Sequence, residues 1–220
     1  MAFRVKICGI RDAATLAAAA EGGADYVGFV FYPPSPRSID LFAAGELARA
    51  VPEPIERVAV LVDPDDRALD GLLAHVPIDI LQLHGAETPE RVRHIAGRTG
   101  CKVMKAIRVL DRDDLASADE YRDAADMIML DAKPRPGAVL PGGNGESFDW
   151  RILDGYRAPL PWALAGGLNA DNIAAAVSDA GPDIVDVSSG VESAPGVKDA
   201  AKLRAFLETA HRLRTAKTSM

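Results

Sequence analysis

The sequence is poor in cysteine and contains no long hydrophobic run. Its two cysteines, Cys8 and Cys101, provide no disulfide framework, which is typical of a protein from a reducing compartment. No apolar run approaches the roughly 18 residues that a membrane span requires, and the first residues lack the apolar stretch of a signal peptide. We therefore expect a cytoplasmic protein without a membrane partner.

Basic residues are also too few for a general nucleic-acid-binding protein. The 25 lysines and arginines against 32 aspartates and glutamates leave a net charge of −7 at pH 7. Nucleic acids and anionic membrane surfaces are bound through a basic footprint, so we expect neither as a partner. The 220 residues, 48% of them hydrophobic, show no linker. We expect one domain over residues 1–214 and a frayed tail over residues 215–220.

Strand-like and helix-like segments alternate along the chain. The strand-like runs are apolar and mostly lack a polar–apolar alternation, which predicts strands buried on both faces. These runs are Val5–Cys8, Tyr26–Phe31, Arg57–Val62, Ile78–Gln82, Lys102–Ala106, Met127–Leu130, Trp162–Ala165 and Ile184–Val187. The helical stretches are Asp12–Gly22, Leu41–Ala50, Asp66–His75, Thr88–Gly97, Asp111–Ala124, Asn169–Ala180 and Lys198–Leu213. The pattern predicts the α/β class and a single closed (β/α)8 TIM barrel, with an open doubly wound sheet as the alternative.

The unusual residues of the chain follow its predicted strands. Cys8 ends the first strand and Asp131 follows the sixth, while Arg37, His84 and Arg108 follow the second, fourth and fifth. In this fold the loops after the strands form the face that carries the active site. A thiol and a carboxyl on opposite sides of a small substrate can act as base and acid. The alternatives are a buried apolar Cys8, a loop-capping Asp131 and a solvated Arg37.

The loops after the seventh and eighth predicted strands are rich in glycine and serine. Gly166 and Gly167 follow one strand, and Ser188, Ser189 and Gly190 follow the other. Glycine allows close approach of the backbone, and N–H groups at a helix start attract anions. Because these loops commonly bind phosphate in TIM barrels, we predict a phosphate site here. The alternative is a tight turn followed by serines that only cap a helix.

A series of short motifs runs in order over nearly the whole chain. The motifs are Lys6-Ile7-Cys8-Gly9-Ile10, Gly28-Phe29-Val30-Phe31, Ser35-Pro36-Arg37, Leu81-Gln82-Leu83-His84-Gly85, Leu130-Asp131, Gly142-Gly143-Asn144-Gly145, Phe148-Asp149-Trp150, Ala165-Gly166-Gly167-Leu168 and Asp186-Val187-Ser188-Ser189-Gly190-Val191-Glu192. Together they resemble the motifs of the phosphoribosylanthranilate isomerases. The segment after Asp131, residues 132–140, is longer than in many of these proteins.

The resemblance implies an Amadori rearrangement in L-tryptophan biosynthesis, with no cofactor and no metal. The expected small-molecule substrate, N-(5-phosphoribosyl)anthranilate, becomes 1-(o-carboxyphenylamino)-1-deoxyribulose 5-phosphate. A protonated Asp131 would open the sugar ring, and a Cys8 thiolate with a lowered pKa, aided by Lys6, a helix terminus or the iminium charge, would remove the C2 proton. Arg37 suits the anthranilate carboxylate, because a guanidinium binds a carboxylate through two hydrogen bonds. The enzyme is expected to be a monomer or a homodimer.

Some assignments stay open at this point. Gln82 and His84 either line the pocket or hold the barrel together, and Cys101 is expected to be a small apolar core residue. His75, His94 and His211 have no partners at ligand spacing, so we expect no metal site. Competing functions are another phosphosugar barrel enzyme, such as an indole-glycerol-phosphate synthase or a histidine-pathway isomerase, and a non-catalytic protein that binds a phosphorylated ligand.

Overall fold

The computed structural model describes residues 3–133 and 147–218, with side chains up to residue 215. In this part of the chain eight parallel strands close into a barrel in sequence order. Hydrogen bonding of the first strand to the eighth, from Arg4 opposite Ile184 to Ile7 opposite Val187, completes the ring. The predicted TIM barrel is therefore confirmed, and the open sheet is excluded. The strands are Arg4–Cys8 (β1), Tyr26–Val30 (β2), Glu56–Leu61 (β3), Ile80–Leu83 (β4), Lys102–Val109 (β5), Met127–Ala132 (β6), Trp162–Leu164 (β7) and Ile184–Val187 (β8).

Helices surround the barrel. The segment predicted as a helix over Asp111–Ala124 contains a 3₁₀ helix, Asp113–Tyr121, which buries Leu115 and Ala118. The last α-helix includes residues 215–218, which were expected to form a frayed tail. The α-helices are Ala13–Glu21 (α1), Leu41–Arg49 (α2), Asp66–His75 (α3), Pro89–Thr99 (α4), Ile173–Ala180 (α5) and Ala200–Thr218 (α6), and the 3₁₀ helices are Asp113–Tyr121, Trp150–Leu153 and Ser189–Val191.

Side-chain caps fix where several helices begin. Asp12, Asp40, Asp65 and Thr88 each accept a hydrogen bond from a backbone N–H group in the first turn of α1, α2, α3 and α4, respectively. Such a cap satisfies an N–H group that has no partner within the helix. Each of these helix starts ends a loop that began at a strand, so the caps also delimit the loops around the mouth of the barrel.

Successive residues of a strand belong to different clusters of buried side chains. Leu81 and Val185 pack in a large cluster that includes helix residues such as Leu203. Their neighbours Ile80 and Ile184 belong to a smaller cluster made almost entirely of strand residues. Because strand side chains alternate between two faces, the smaller cluster fills the barrel interior, and the larger one lies between barrel and helices.

An aspartate stands directly before each even-numbered strand and links it to the strand before. Its carboxylate accepts the N–H group of a residue in the preceding strand, and its own N–H donates to the carbonyl of that same residue. These contacts close the end of the barrel opposite the loops that follow the strands, the face that contributes stability. We call them the aspartate clamps: Asp25 with Val5, Asp79 with Arg57, Asp126 with Val103, and Asp183 with Trp162.

The predicted ends of β5 and β6 differ from the structure by more than one residue, whereas each of the other strands ends within one residue of its predicted end. Arg108 and Asp131 were expected to follow β5 and β6, but both lie inside these strands and face each other in register. The pairing between β5 and β6 continues to Val109 and Ala132, so it extends both strands beyond their apolar runs. The glycine motif over residues 142–145 and most of the long segment 132–140 lie outside the described residues. No helix in the described part of the chain is long and apolar enough to cross a membrane.

Candidate active site

Cys8 and Asp131 both point toward the interior at the mouth of the barrel. Cys8 is the last residue of β1, and Asp131 is the last residue but one of β6. Asp131 lies two residues after Met129 on the same strand face, and Met129 belongs to the interior cluster. Cys8 follows Ile7, which belongs to the outer cluster, so the alternation of side chains turns Cys8 toward the interior. Strands β7 and β8 separate β6 from β1 around the ring. The thiol and the carboxyl are thus buried on different sides of one opening.

The loops after β7 and β8 connect these two sides. Gly166 lies against Asp131, since a Cβ on this glycine would stand 3.2 Å from the Asp131 Oδ1. Gly190 lies so close to the carbonyl oxygen of Leu168 that a Cβ would stand 1.8 Å from it. The Ser188 hydroxyl donates to the carbonyl oxygen of Cys8 at 3.2 Å. The predicted phosphate residues therefore lie between the two predicted catalytic residues.

The backbone after β7 requires glycine. Gly166 and Gly167 have positive φ angles of +88° and +65°, which glycine adopts without strain. After β8, Ser189 and Gly190 form a 3₁₀ helix with Val191. The five residues predicted to bind phosphate thus occupy two touching loops at one edge of the mouth.

A buried ion pair lies beneath Cys8. Lys6 precedes Cys8 on the inner face of β1, and its Nζ donates to the Asp186 Oδ1 at 2.7 Å. Burial opposes the charge of Lys6, but Asp186 and Cys8 outweigh burial and raise the lysine pKa. A Cβ at Gly28 would stand 3.1 Å from the Cys8 Sγ and 3.3 Å from the Lys6 Nζ. A glycine at position 28 therefore leaves room for the thiol and the ammonium to approach each other.

The pKa of Cys8 shifts upward, against the sequence-based expectation. Burial raises the pKa of the Cys8 thiol, Lys6 and Lys198 lower it, and Asp186 raises it. The expectation of a lowered pKa considered the lysine but not the desolvation of a side chain that is 7% exposed. The thiol form of Cys8 is thus favoured. The ammonium groups of Lys6 and Lys198 favour the thiolate and partly offset the effect of burial.

Arg37 is buried, so the alternative of a solvated arginine is excluded. Its Nε and Nη2 donate to the two carboxylate oxygens of Glu192, both at 2.8 Å. Lys198 donates to the same Glu192 at 3.0 Å and to the carbonyl oxygen of Ser188 at 2.9 Å. Burial raises the pKa of Glu192, but Arg37 and Lys198 outweigh it and hold the pKa below its ordinary value. Glu192 thus holds the guanidinium in place, and the aliphatic part of Arg37 packs beside Gly9, the residue after Cys8.

The bond to Glu192 limits how Arg37 can bind a substrate. A guanidinium has five N–H groups, and Glu192 takes one from Nε and one from Nη2. The remaining N–H groups lie on Nη1 and Nη2, at the end of the side chain. A substrate carboxylate can bind there through two hydrogen bonds without displacing Glu192.

His84 and Gln82 join Asp131 in a buried chain of hydrogen bonds. The His84 Nε2 lies 3.0 Å from the Asp131 Oδ2, and the His84 Nδ1 lies 3.0 Å from the Gln82 Nε2. The other carboxylate oxygen, Oδ1, accepts the N–H group of Ala132 at 2.9 Å. His84 thus contacts the predicted acid directly, and Gln82 reaches it only through His84. Arg108 donates to the carbonyl oxygen of His84 at 3.3 Å.

The remaining histidines and the second cysteine lie away from this chain. His75, His94 and His211 are in α3, α4 and α6, the helical regions in which they were predicted. Cys101 is partly buried and packs against the core, in agreement with its expected apolar role.

Sequence reasoning missed Asp186, Glu192 and Lys198 as members of the site. A signal existed for Asp186, because it interrupts the apolar β8, and a charge inside a buried strand requires a partner. Glu192 and Lys198 carried no comparable local signal, since they lie in a short hairpin, Glu192–Ala194 with Val197–Lys198, that the apolar pattern does not reveal.

These features define the class of the protein: a TIM barrel with buried ionisable groups and two glycine-rich loops at the carboxyl ends of its strands, the face that carries the active site in enzymes of this fold. Comparison with known proteins identifies the member of that class. The family model described as "N-(5'phosphoribosyl)anthranilate (PRA) isomerase" matches residues 5–209, and the chain belongs to this family.

Similar proteins agree in sequence and in structure. An N-(5'-phosphoribosyl)anthranilate isomerase of Paracoccus denitrificans is 55% identical over 210 residues, 96% of this chain and 98% of that protein. The crystal structure of a phosphoribosyl anthranilate isomerase from Thermotoga maritima has a TM-score of 0.86 and 37% identity, covering 96% of this chain and 99% of its own. Another solved isomerase, in complex with reduced 1-(o-carboxyphenylamino)-1-deoxyribulose 5-phosphate, has a TM-score of 0.83 and 36% identity. The match covers 96% of this chain and 99% of that one.

Proposed function

We propose that this chain converts N-(5'-phosphoribosyl)anthranilate into 1-(o-carboxyphenylamino)-1-deoxyribulose 5-phosphate, with Cys8 as the base and Asp131 as the acid. The reaction is an isomerisation of L-tryptophan biosynthesis. The activity follows from membership of the family, whose model matches residues 5–209. The assignment of roles is supported by one observation above all: both side chains are buried at the same mouth, on different strands.

In this proposal the two ends of the substrate bind at different edges of the mouth. The phosphate lies at the loops of Gly166, Gly167, Ser188, Ser189 and Gly190, where glycine allows close backbone approach. The anthranilate carboxylate binds the free end of the Arg37 guanidinium, which Glu192 holds in place. The sugar then lies between the two loops and Arg37, in reach of the acid and the base.

The acid acts first. A protonated Asp131 gives its proton to the furanose ring oxygen, the bond from C1 to that oxygen breaks, and the nitrogen lone pair forms a C1–N double bond. The iminium that results carries a positive charge and acidifies the hydrogen on C2. Asp131 is left as a carboxylate, which accepts hydrogen bonds from the Ala132 N–H and from the His84 ring.

The base acts second. The Cys8 thiolate removes the C2 proton, and the electrons of the C–H bond form a C1–C2 double bond that neutralises the iminium. The enolamine becomes the aminoketone when the Cys8 thiol gives its proton to C1 and the enol hydroxyl proton passes through water to the Asp131 carboxylate, which restores both groups. Burial disfavours the thiolate, whereas Lys6 and Lys198 favour it, so the positive iminium supplies further stabilisation when the base is required.

The competing functions receive less support. Neither an indole-glycerol-phosphate synthase nor a histidine-pathway isomerase is the family that residues 5–209 match. A non-catalytic protein that retained only the phosphate loops would have no need of Cys8 and Asp131 at the mouth.

Location and assembly are also part of the proposal. A catalytic thiol must stay reduced, which favours the cytoplasm. The chain acts as a monomer or a homodimer, and a Thermotoga maritima relative is described as dimeric, with monomers generated from it. Sedimentation velocity of the purified protein distinguishes the two states.

A fluorescence assay tests the activity directly. Freshly generated phosphoribosylanthranilate is mixed with the purified protein, and the emission of the anthranilate group is followed. We expect a change whose rate is proportional to protein concentration and whose product has the mass of the substrate. Binding of the reduced product analogue without any turnover would contradict the proposal and favour a non-catalytic role.

A further inference from the structure

We propose that His84 is a positioning residue for Asp131 and that Gln82 determines which imidazole nitrogen carries the proton. This inference rests on the proposed function, in which Asp131 is the acid. It concerns two residues whose roles the sequence left open between pocket lining and barrel structure.

The geometry places His84 between the acid and the amide. Gln82 lies on the inner face of β4, and His84 follows two residues later on the same face. All three side chains are buried, so water does not compete strongly for these hydrogen bonds. One imidazole nitrogen faces the Asp131 Oδ2 and the other faces the Gln82 amide, each at 3.0 Å. Any change in the amide is thus transmitted to the carboxyl through the ring.

The orientation of the Gln82 amide determines the tautomer of His84. When the amide nitrogen donates to Nδ1, a neutral ring carries its proton on Nε2 and donates to an ionised Asp131. When the amide is turned by 180°, its oxygen accepts a proton from Nδ1, and Nε2 becomes an acceptor. In that second arrangement the ring accepts a hydrogen bond from a protonated Asp131.

Both arrangements leave part of the amide without a hydrogen-bond partner. In the observed one, the Gln82 nitrogen donates to His84 and to the sulfur of Met129 at 3.3 Å. The Gln82 Oε1 is buried and has no hydrogen-bond partner among the described residues. In the turned arrangement the oxygen is satisfied, and the NH₂ group loses both contacts. A buried polar atom without a partner is costly, so each arrangement carries such a cost.

The two arrangements match the two states that an acid passes through. Before ring opening, Asp131 holds its proton, and the turned amide lets His84 accept from it. After proton transfer, Asp131 is a carboxylate, and the Nε2 proton stabilises it. His84 touches Asp131 rather than the reacting atoms in this description, so it acts only through the carboxyl.

A double-mutant cycle tests this dependence. His84→Ala should lower kcat by about 10- to 150-fold, the loss expected for one hydrogen bond to a charged group, with little change in the affinity for the reduced product analogue. In an Asp131→Asn background the same change should have no further effect on kcat, because the carboxyl through which it acts is absent. His84→Gln keeps a side-chain donor and should recover part of kcat.

A matched control comes from a similar pair on the outside of the protein. The His94 Nε2 lies 3.1 Å from the Asp66 Oδ2, between α4 and α3, and both side chains are exposed to solvent. His94→Ala should leave kcat within about twofold of the wild type. Gln82→Met, which fills the same space without an amide, should lower kcat less than His84→Ala does.

The outcomes separate this inference from the proposed function. If Asp131→Asn alone retains near-wild-type kcat, the assignment of the acid fails, and the inference fails with it. If Asp131→Asn lowers kcat at least about 100-fold, but His84→Ala lowers kcat by the same factor in the wild-type and Asp131→Asn backgrounds, only the role of His84 is overturned. A wild-type kcat for Gln82→Met would remove Gln82 from the proposal.

Discussion

At the scale of the residue, the site is organised by buried charges that hold one another in place. Glu192 joins Arg37 to Lys198, and Lys6 is paired with Asp186 beneath Cys8. An isolated buried charge is costly, whereas a paired and hydrogen-bonded one is tolerated. These pairs therefore keep positive charge at the mouth of a protein whose net charge is negative.

Arg37→Ala should mainly damage recognition of the anthranilate carboxylate. We expect kcat/KM to fall by about 10- to 150-fold, because a hydrogen bond to a charged group contributes about 1.5–3 kcal/mol. Arg37→Lys should recover only part of it, since an ammonium cannot form two parallel hydrogen bonds. The comparison uses a substrate analogue built on aniline, which wild type and Arg37→Ala should convert equally slowly. Equal damage on both substrates would mean that Arg37 only supports the fold.

Gly28→Ala should disturb the base without unfolding the barrel. The added Cβ would stand 3.1 Å from the Cys8 Sγ and 3.3 Å from the Lys6 Nζ, so one of these groups must shift. Because small displacements of catalytic groups are costly, we expect kcat to fall by about 10- to 100-fold in steady-state kinetics.

Gly71→Ala is the matched control for Gly28→Ala. Gly71 lies in α3, and a Cβ there meets nothing within 4 Å. This variant should keep full activity and gain up to about 1 kcal/mol in the free energy of unfolding, since alanine favours the helix. Unchanged kcat in Gly28→Ala would show that the contact with the thiol is unimportant.

Single residues were easier to predict by position than by partner. The placement of Cys8 and Arg37 at the mouth follows from where strands end, and this much could be read from the sequence. The bond from Arg37 to Glu192 spans 155 positions and depends on how two loops meet in space. The pKa of Cys8 depends on how deeply the folded chain buries the thiol, which the sequence does not show. The predicted downward shift of this pKa was therefore wrong.

At the scale of the element, strands were predicted well because burial on both faces makes them continuously apolar. The ends of β5 and β6 were wrong, because pairing between them includes the polar Arg108 and Asp131. The helix expected over residues 111–124 is a shorter 3₁₀ helix, Asp113–Tyr121, and the Asp111 and Asp114 carboxylates accept backbone N–H groups at its start. The aspartate clamps were visible in the sequence as an aspartate before each even-numbered strand, but only the structure shows their partners.

The loops after β7 and β8 should bind inorganic phosphate or sulfate in competition with substrate. Gly190→Ala should raise the inhibition constant of phosphate at least about tenfold, because its Cβ would overlap the carbonyl oxygen of Leu168 and push the two loops apart. Gly97→Ala, in α4 with open space around it, should leave that constant unchanged. If phosphate competes equally strongly in the wild type, Gly190→Ala and Gly97→Ala, it must bind at another place.

At the scale of the whole molecule, the two ends of the barrel have different tasks. The mouth carries the buried ionisable groups, and the opposite end carries the aspartate clamps. At that end Arg57 donates through its backbone N–H, Nε and Nη2 to Asp79 at 2.7–2.8 Å. Substitutions there should change stability and leave the chemistry unchanged.

Asp79→Asn should destabilise the protein in a pH-dependent way. Hydrogen bonds from Arg57 hold the pKa of Asp79 below its ordinary value. The ionised Asp79 therefore stabilises the folded protein at pH values above the ordinary carboxyl pKa of about 3.9. This stabilisation is lost as the pH falls through the lowered pKa of Asp79 in the folded protein. We expect a loss of about 1 kcal/mol in urea unfolding at pH 7, shrinking toward pH 3, with kcat unchanged. A loss independent of pH would contradict the ionic contribution.

The central claim, that Cys8 and Asp131 form a base and acid across one mouth, is tested most directly by single-turnover kinetics. Cys8→Ala and Asp131→Asn are each compared with the wild type on fresh phosphoribosylanthranilate, with fluorescence titration of the reduced product analogue as the measure of binding. We predict that each variant loses at least about 100-fold in rate, the lower range of acid–base catalysis, while it binds the analogue nearly as tightly and keeps a native circular dichroism spectrum. A folded variant of either kind that turns over at a near-wild-type rate would contradict the claim.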